Sequence, residues 1–262
     1  MRIAVCGTSN QGKSTYIGNF IKEWPMYKRS GDTYRKAIKE LSLPINKKTT
    51  KQSQRMILEC LNQDMEAGHK EKYVIFDRST LDNLVYSLRA LGSGQSDLDA
   101  AFIKETVEVL KDSMRFIDII FFLPITKFSP VNAEPKEFRD VDQIFRVEVD
   151  NIFKAIAMQH LQGKSEFFHK DDAPPIIEIF GNPLERIEMT KLYVNKYGDC
   201  LDTVSSILSN ENIDLMEKLL SEQRDAGVDE KALDVLKNTI IKAKTMQEAQ
   251  LTGNLSKSSK TK

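Results

Sequence analysis

Two short segments of the chain carry side chains able to do chemistry together. Residues 7–14 read Gly7-Thr8-Ser9-Asn10-Gln11-Gly12-Lys13-Ser14, two glycines with four residues between them, then a lysine and a hydroxyl. Glycines at that spacing let the backbone turn tightly, so that successive N–H groups surround phosphate oxygens. In such a loop Lys13 reaches the β- and γ-phosphates, and the Ser14 hydroxyl ligates Mg²⁺. The pattern assigns Gly7, Thr8, Ser9, Asn10, Gln11, Gly12, Lys13, Ser14 and Thr15 to a nucleoside triphosphate site, with ATP and Mg²⁺ as the expected ligands.

The second segment, Asp77-Arg78-Ser79, closes the apolar run Tyr73-Val74-Ile75-Phe76. Asp77 suits a metal-holding role, and Arg78 suits neutralising charge on a phosphoryl group in passage. Hydrolytic ATPases commonly place Glu after that Asp, where it orients an attacking water. An arginine there activates no water and favours transfer to an acceptor. A guanine-reading Asn-Lys-x-Asp segment is missing, because Asn195-Lys196-Tyr197-Gly198 fails at its fourth position.

The surrounding elements must bring these segments together. Arg2-Ile3-Ala4-Val5-Cys6 is a short apolar strand, and the residues from Ser14 to Ile21 open a helix. Residues 26–29 form a weak second strand, and Asp32 is a helix cap candidate. Thr49 or Thr50 caps a long helix ending at Gly68, a candidate C′ glycine. Residues 72–77 and 117–123 read as buried strands, the latter of the kind covered on both faces in a parallel sheet. Helices are expected from Thr80 to about Leu91, with Gly92-Ser93-Gly94 as an interruption, and then from Asp97 to about Phe116. Residues 126–143, with two prolines, four acids and three bases, read as a mobile loop. Helix resumes over 147–161, a last strand over 175–180, and a helix from about Leu184. Strands alternating with helices predict an α/β fold, a parallel sheet with helices on both faces. Residues 199–250 read as charged amphipathic helices, and 251–262 as a disordered tail.

Composition narrows the class. Lys+Arg and Asp+Glu both number 38, so no overall field points to a nucleic-acid partner, although a local basic patch is compatible with this. No apolar run approaches the length of a membrane span, and Met1-Arg2 leads straight into the first strand, leaving no room for a secretory leader. Cys6, Cys60 and Cys200 are scattered, and His69, His160 and His169 lack metal-ligand spacing. Neither disulfides nor a zinc site are expected, and a reducing cytoplasm fits.

Phe76-Asp77-Arg78-Ser79 resembles the Phe-Glu-Arg-Ser segment of deoxynucleoside kinases and is similar to the Asp-Arg pair of thymidylate kinases. The resemblance covers residues 1–195. It implies a five-stranded parallel sheet, a phosphate loop and an arginine-bearing lid over 126–143. It also implies that Arg78 lies between donor and acceptor, and that Arg139 closes over the γ-phosphate. A closer resemblance is to bacteriophage-encoded members of the thymidylate-kinase-like superfamily. It rests on Trp24-Pro25-Met26-Tyr27-Lys28, on Asp82-Asn83-Leu84-Val85-Tyr86 after Phe76-Asp77-Arg78, on residues 119–127, and on residues 148–156. That group includes the 5-hydroxymethyluracil DNA kinases, which phosphorylate a base's hydroxymethyl group within phage DNA during thymine hypermodification. The resemblance implies modified DNA as a partner, host cytoplasm as the compartment and restriction evasion as the setting.

Departures from those families are specific. Ser79 stands where thymidylate kinases have an aromatic residue, and no Glu follows the second strand. The general base is left between Asp77 and Asp32. A base taken from DNA must leave its stack and be held by flat walls, with phosphates gripped outside. Asn46-Lys47-Lys48-Thr49-Thr50-Lys51 is the basic stretch for those contacts, and Tyr27, Tyr34 and Tyr86 are the stacking candidates. Two rival readings remain: a kinase of a free nucleoside or nucleotide, and an ATP-binding switch or scaffold working through residues 198–250.

Overall fold

The computed structural model describes residues 1–30, 32–127, 129, 142–169, 173–201, 210–225, 233 and 237. The chain falls into two compact units, residues 1–190 with 196–198, and residues 191–195 with 199–262.

The first unit is built on five parallel strands, β1 (Arg2–Cys6), β2 (Lys28–Arg29), β3 (Val74–Asp77), β4 (Ile119–Phe122) and β5 (Ile176–Glu178), in the order β2-β3-β1-β4-β5. Because β1 lies between β3 and β4, the loops leaving the tips of β1 and β3 diverge to either side of a crevice. Open α/β sheets bind ligands at such a switch point. Register fixes the detail: Val5 pairs with Asp77, so the end of β3 stands beside the start of the glycine loop. Arg78 N–H donates to Val5 O at 3.1 Å and extends that alignment by one residue.

Strand alternation divides the core between the two faces. Ala4, Cys6, Val74, Phe76, Ile120 and Phe122 meet α4 (Thr80–Ser93), α5 (Ala100–Met114) and α6 (Gln143–Leu161) through Leu81, Leu84, Leu110, Phe145, Val149 and Phe153. On the other face Tyr16 and Phe20 of α1 (Lys13–Glu23) join an aromatic group in which Tyr16 meets Phe121 edge-on at 6.2 Å. Tyr16 also bonds Thr190 of α7 (Pro183–Thr190) at 2.7 Å. Two further helices, α2 (Thr33–Glu40) and α3 (Lys51–Gly68), pack through Tyr34, Ile38, Ile57 and Leu61 and wall the crevice beside β2. In the second unit, Val194 and Cys200 form an antiparallel bridge, and α8 spans Asn210–Asp225.

Several boundaries differ from the sequence expectation. Thr50 is the α3 cap, in a reciprocal box with Ser53. Gly68 is the last helical residue, not a left-handed C′ residue; a Cβ there would stand 2.6 Å from the Phe76 ring, so close packing demands glycine. Helix α4 runs through Gly92-Ser93 and stops at Gly94, which takes the left-handed conformation at φ 64°. Helix α6 begins at Gln143, capped by Asp142, four residues before the expected start at Val147. Among the described residues no helix is long and apolar enough to cross a membrane.

Candidate functional site

The glycine loop takes the conformations its composition allows. Gly7 has φ 139°, and a Cβ there would stand 2.8 Å from Leu123 O, so only glycine fits between β1 and β4. Gly12 has φ 77° and hands over to α1, whose first residue is Lys13; unpaired N–H groups of a helix start favour an anion. The Lys13 ammonium donates to Gly7 O and Thr8 O, both at 2.7 Å, inside the curl of the loop. Burial lowers the Lys13 pKa to about 7, with Arg78 adding repulsion.

Asp77 is 3% exposed. Its Oδ2 accepts from Ser14 Oγ at 3.2 Å, Arg29 Nη2 at 2.6 Å and Arg35 Nη2 at 2.8 Å. Burial alone would raise this carboxyl, but Arg35, Lys13 and Arg78 outweigh it and hold it below the usual carboxylate range. A carboxylate so stabilised in its charged form is a poor proton acceptor and a good cation ligand. Among the described residues Asp77 Oδ1 is buried without a hydrogen-bond partner. One hydroxyl and one carboxylate, both hard oxygen donors, suit Mg²⁺, which takes few protein ligands and completes its shell with phosphate and water. Asp32, the other base candidate, is bonded by Arg35 at 3.1 Å.

Arg78 has φ 85°, which a long side chain adopts only when its surroundings enforce it. Its Nη1 donates to Asp82 Oδ1 at 2.8 Å, its Nη2 to the Tyr86 hydroxyl at 3.4 Å, and its guanidinium lies 5.0 Å from the Tyr86 ring centroid. Arg139 lies outside the described residues, as does most of the 126–143 segment.

A crevice of about 300 Å³ joins these groups. The loop residues Ser9 to Thr15 form one end; Tyr34, Ile38, Ile57 and Leu61 form an apolar wall; Arg78, Asp82, Asn83 and Tyr86 form the third side. Of the stacking candidates, Tyr34 and Tyr86 line this space. Tyr27 does not: its ring packs on Phe20 at 4.9 Å, and its hydroxyl donates to Gly198 O at 2.6 Å. In the basic stretch, Lys47 pairs with Asp142 and Lys51 with Asp99.

Two arginines that carry no motif hold the loop in shape. Arg146 Nε donates to Ser9 O at 3.0 Å, and its Nη2 to Gln11 Oε1 at 3.3 Å. Arg186 Nη1 donates to Gln11 O at 2.9 Å, while its Nε donates to Gly181 O at 3.0 Å. Gln11 Nε2 in turn donates to Pro124 O at 2.7 Å, tying the loop to the end of β4. The one signal available for Arg146 was position: it stands on the same helical stripe as Phe145, Val149 and Phe153.

Comparison with known proteins agrees with this geometry. The model of a family described as "AAA domain" matches residues 2–161. No curated protein matches the chain in sequence. Among solved structures, deoxyadenosine kinase from M. mycoides with dCMP and a flexible dCDP bound is similar at 15% identity and a TM-score of 0.53, over 72% of this chain and 96% of that one. The same enzyme with dATP bound is similar at 16% identity and a TM-score of 0.50, over 68% and 90%. At such identities the likeness is one of fold.

Proposed function

The chain belongs to the AAA domain family, and from that footing we propose that it transfers the γ-phosphoryl group of ATP to a hydroxyl acceptor held in the crevice. The observation that carries this reading is the grouping of Lys13, Ser14 and Arg78 around one opening, with Asp77 bonded to Ser14 behind it and no water-orienting acid after Asp77. Lys13 and the loop amides hold the triphosphate. Ser14 and Asp77 hold Mg²⁺, which supplies charge neutralisation on the phosphates. Arg78, with Arg139 from the segment between β4 and α6, meets the charge that spreads over the moving phosphoryl group. Positioning and fixed charge supply nearly all the catalysis in such transfers.

For the acceptor, we propose the hydroxymethyl group of 5-hydroxymethyluracil in phage DNA. The phage-kinase segments support it, and so does a crevice with Tyr34 and Tyr86 beside an apolar wall, which suits a flat ring. A free nucleoside or nucleotide is the second reading. It is favoured by the internal engagement of Tyr27, Lys47 and Lys51, which leaves fewer groups for a DNA backbone. The deoxyadenosine kinase of similar fold binds such deoxynucleotides.

Incubation with labelled ATP, Mg²⁺ and either hydroxymethyluracil-containing DNA or a panel of free nucleosides and monophosphates separates the two. Digestion of the DNA and mass spectrometry of its nucleosides should show the phosphorylated base. Label on free acceptors alone would move the assignment to the second reading. Release of inorganic phosphate with no labelled acceptor would defeat both.

A further inference from the structure

We propose that Asp82 is a positioning residue: it aims the Arg78 guanidinium into the crevice and keeps it off the neighbouring Asp77. The inference rests on the phosphoryl-transfer reading for its kinetic consequence, but its geometry stands apart from it. Three arginines, Arg29, Arg35 and Arg78, crowd around two buried carboxylates, and the structure sorts them. Arg29 and Arg35 take Asp77 at 2.6 and 2.8 Å, whereas Arg78 takes Asp82 at 2.8 Å.

Asp82 can do this because its own place is fixed twice. It is the third residue of α4, and its Oδ2 accepts the Ser79 N–H at 3.1 Å in a reciprocal capping box. Its Oδ1 is thereby turned back toward the residue preceding the cap, which is Arg78. The left-handed backbone at Arg78 sends the side chain across the first turn of α4, where the Tyr86 ring lies under it. Backbone twist, carboxylate and ring together leave the guanidinium one resting place, at the edge of the space that receives the phosphates. Both oxygens of Asp82 are thereby engaged, Oδ2 by the Ser79 N–H and Oδ1 by Arg78.

An Asp82→Asn variant separates aiming from capping, since the amide oxygen still accepts the Ser79 N–H while the charge facing Arg78 is lost. A misplaced charge of this kind should lower kcat about a hundredfold with the KM for ATP nearly unchanged. In an Arg78→Ala background, Asp82→Asn should cost less than about twofold more, because coupled residues are not additive. Guanidinium added to Arg78→Ala should restore turnover when Asp82 is present and fail when the Asp82→Asn change is made as well. A purely structural role would give the same loss in both backgrounds and guanidinium rescue in both, and would overturn the proposal. Nitrogen-15 NMR of the Arg78 guanidinium gives a readout free of turnover. Slow Nη rotation in the wild type and fast rotation in Asp82→Asn are expected, and equal rotation in both overturns the proposal. A wild-type protein that transfers no phosphoryl group, yet shows that NMR difference, would sink the function and leave the aiming role in place.

Discussion

Replacing Arg186 by Met should loosen the glycine loop from behind, through the lost bond to Gln11 O. Arg186 is 4% exposed, and its guanidinium makes one bond to Gln11 O at 2.9 Å and one to Gly181 O at 3.0 Å. Methionine keeps most of the apolar stem and removes both donors. Hydrogen bonds from charged groups are each worth about 1.5–3 kcal/mol, and the two carbonyls left behind lose their partner. After allowance for water reaching the vacated space, a net loss of about 3 kcal/mol is expected. In a unit of this size that lowers the melting temperature by roughly 10 °C. The same change frees the middle of the glycine loop, so ATP affinity should fall about tenfold, equivalent to about 1.4 kcal/mol of lost preorganisation. Thermal melting of the purified variant and titration with a fluorescent ATP analogue measure the two effects. Melting within a degree of the wild type would refute the accounting of buried carbonyls. A large fall in melting temperature with unchanged ATP affinity would show that Arg186 braces α7 and not the loop.

Other perturbations have equally definite outcomes. Gly7→Ala places a Cβ 2.8 Å from Leu123 O at φ 139°, so nucleotide binding should be lost, with a stability cost of about 1–3 kcal/mol seen in denaturant titration. Asp77→Asn should reduce phosphoryl transfer about a hundredfold or more and raise the Mg²⁺ concentration needed for half activity, while folding persists because Arg29 and Arg35 are partly hydrated. Asp118 binds Arg2 through both its backbone N–H and its guanidinium; burial would raise its carboxyl, and the Arg2 bonds and charge prevail to lower it. The folded-state pKa is thus the lower one, so the pair stabilises above the ordinary carboxylate range and loses its effect as pH falls through the depressed value. Asp118→Asn should cost about 1 kcal/mol at pH 7 and nothing at the acid end of a stability–pH curve.

The sequence marks the candidate phosphate loop because the chemistry proposed for it is local. The amides of one loop and its lysine have to be contiguous, so Gly7 to Ser14 carry their meaning in spacing alone. Asp77 and Arg78 were equally plain, since a strand tip beside the loop is what a parallel sheet of this order requires. What escaped notice was assembled across long separations. Arg29 and Arg35 reach Asp77 over 48 and 42 residues, and Arg186 reaches Gln11 over 175. A buried arginine on an amphipathic stripe looks like any surface base until its partners are known. Tyr27 failed as a stacking candidate for the same reason, because its burial depends on Phe20, Tyr73 and Gly198 together. Gly68 misled in another way: glycine near a helix end usually marks a left-handed turn, and here it makes room for the Phe76 ring.

The most direct measurement is transfer of label from γ-labelled ATP in the presence of Mg²⁺, comparing the wild type with Lys13→Ala at matched fold by circular dichroism. Covalent label on an acceptor with the wild type, and none with the variant, is the expected result. Labelled acceptor formed equally well by Lys13→Ala, or ATP turned over only to inorganic phosphate whatever acceptor is offered, would contradict it.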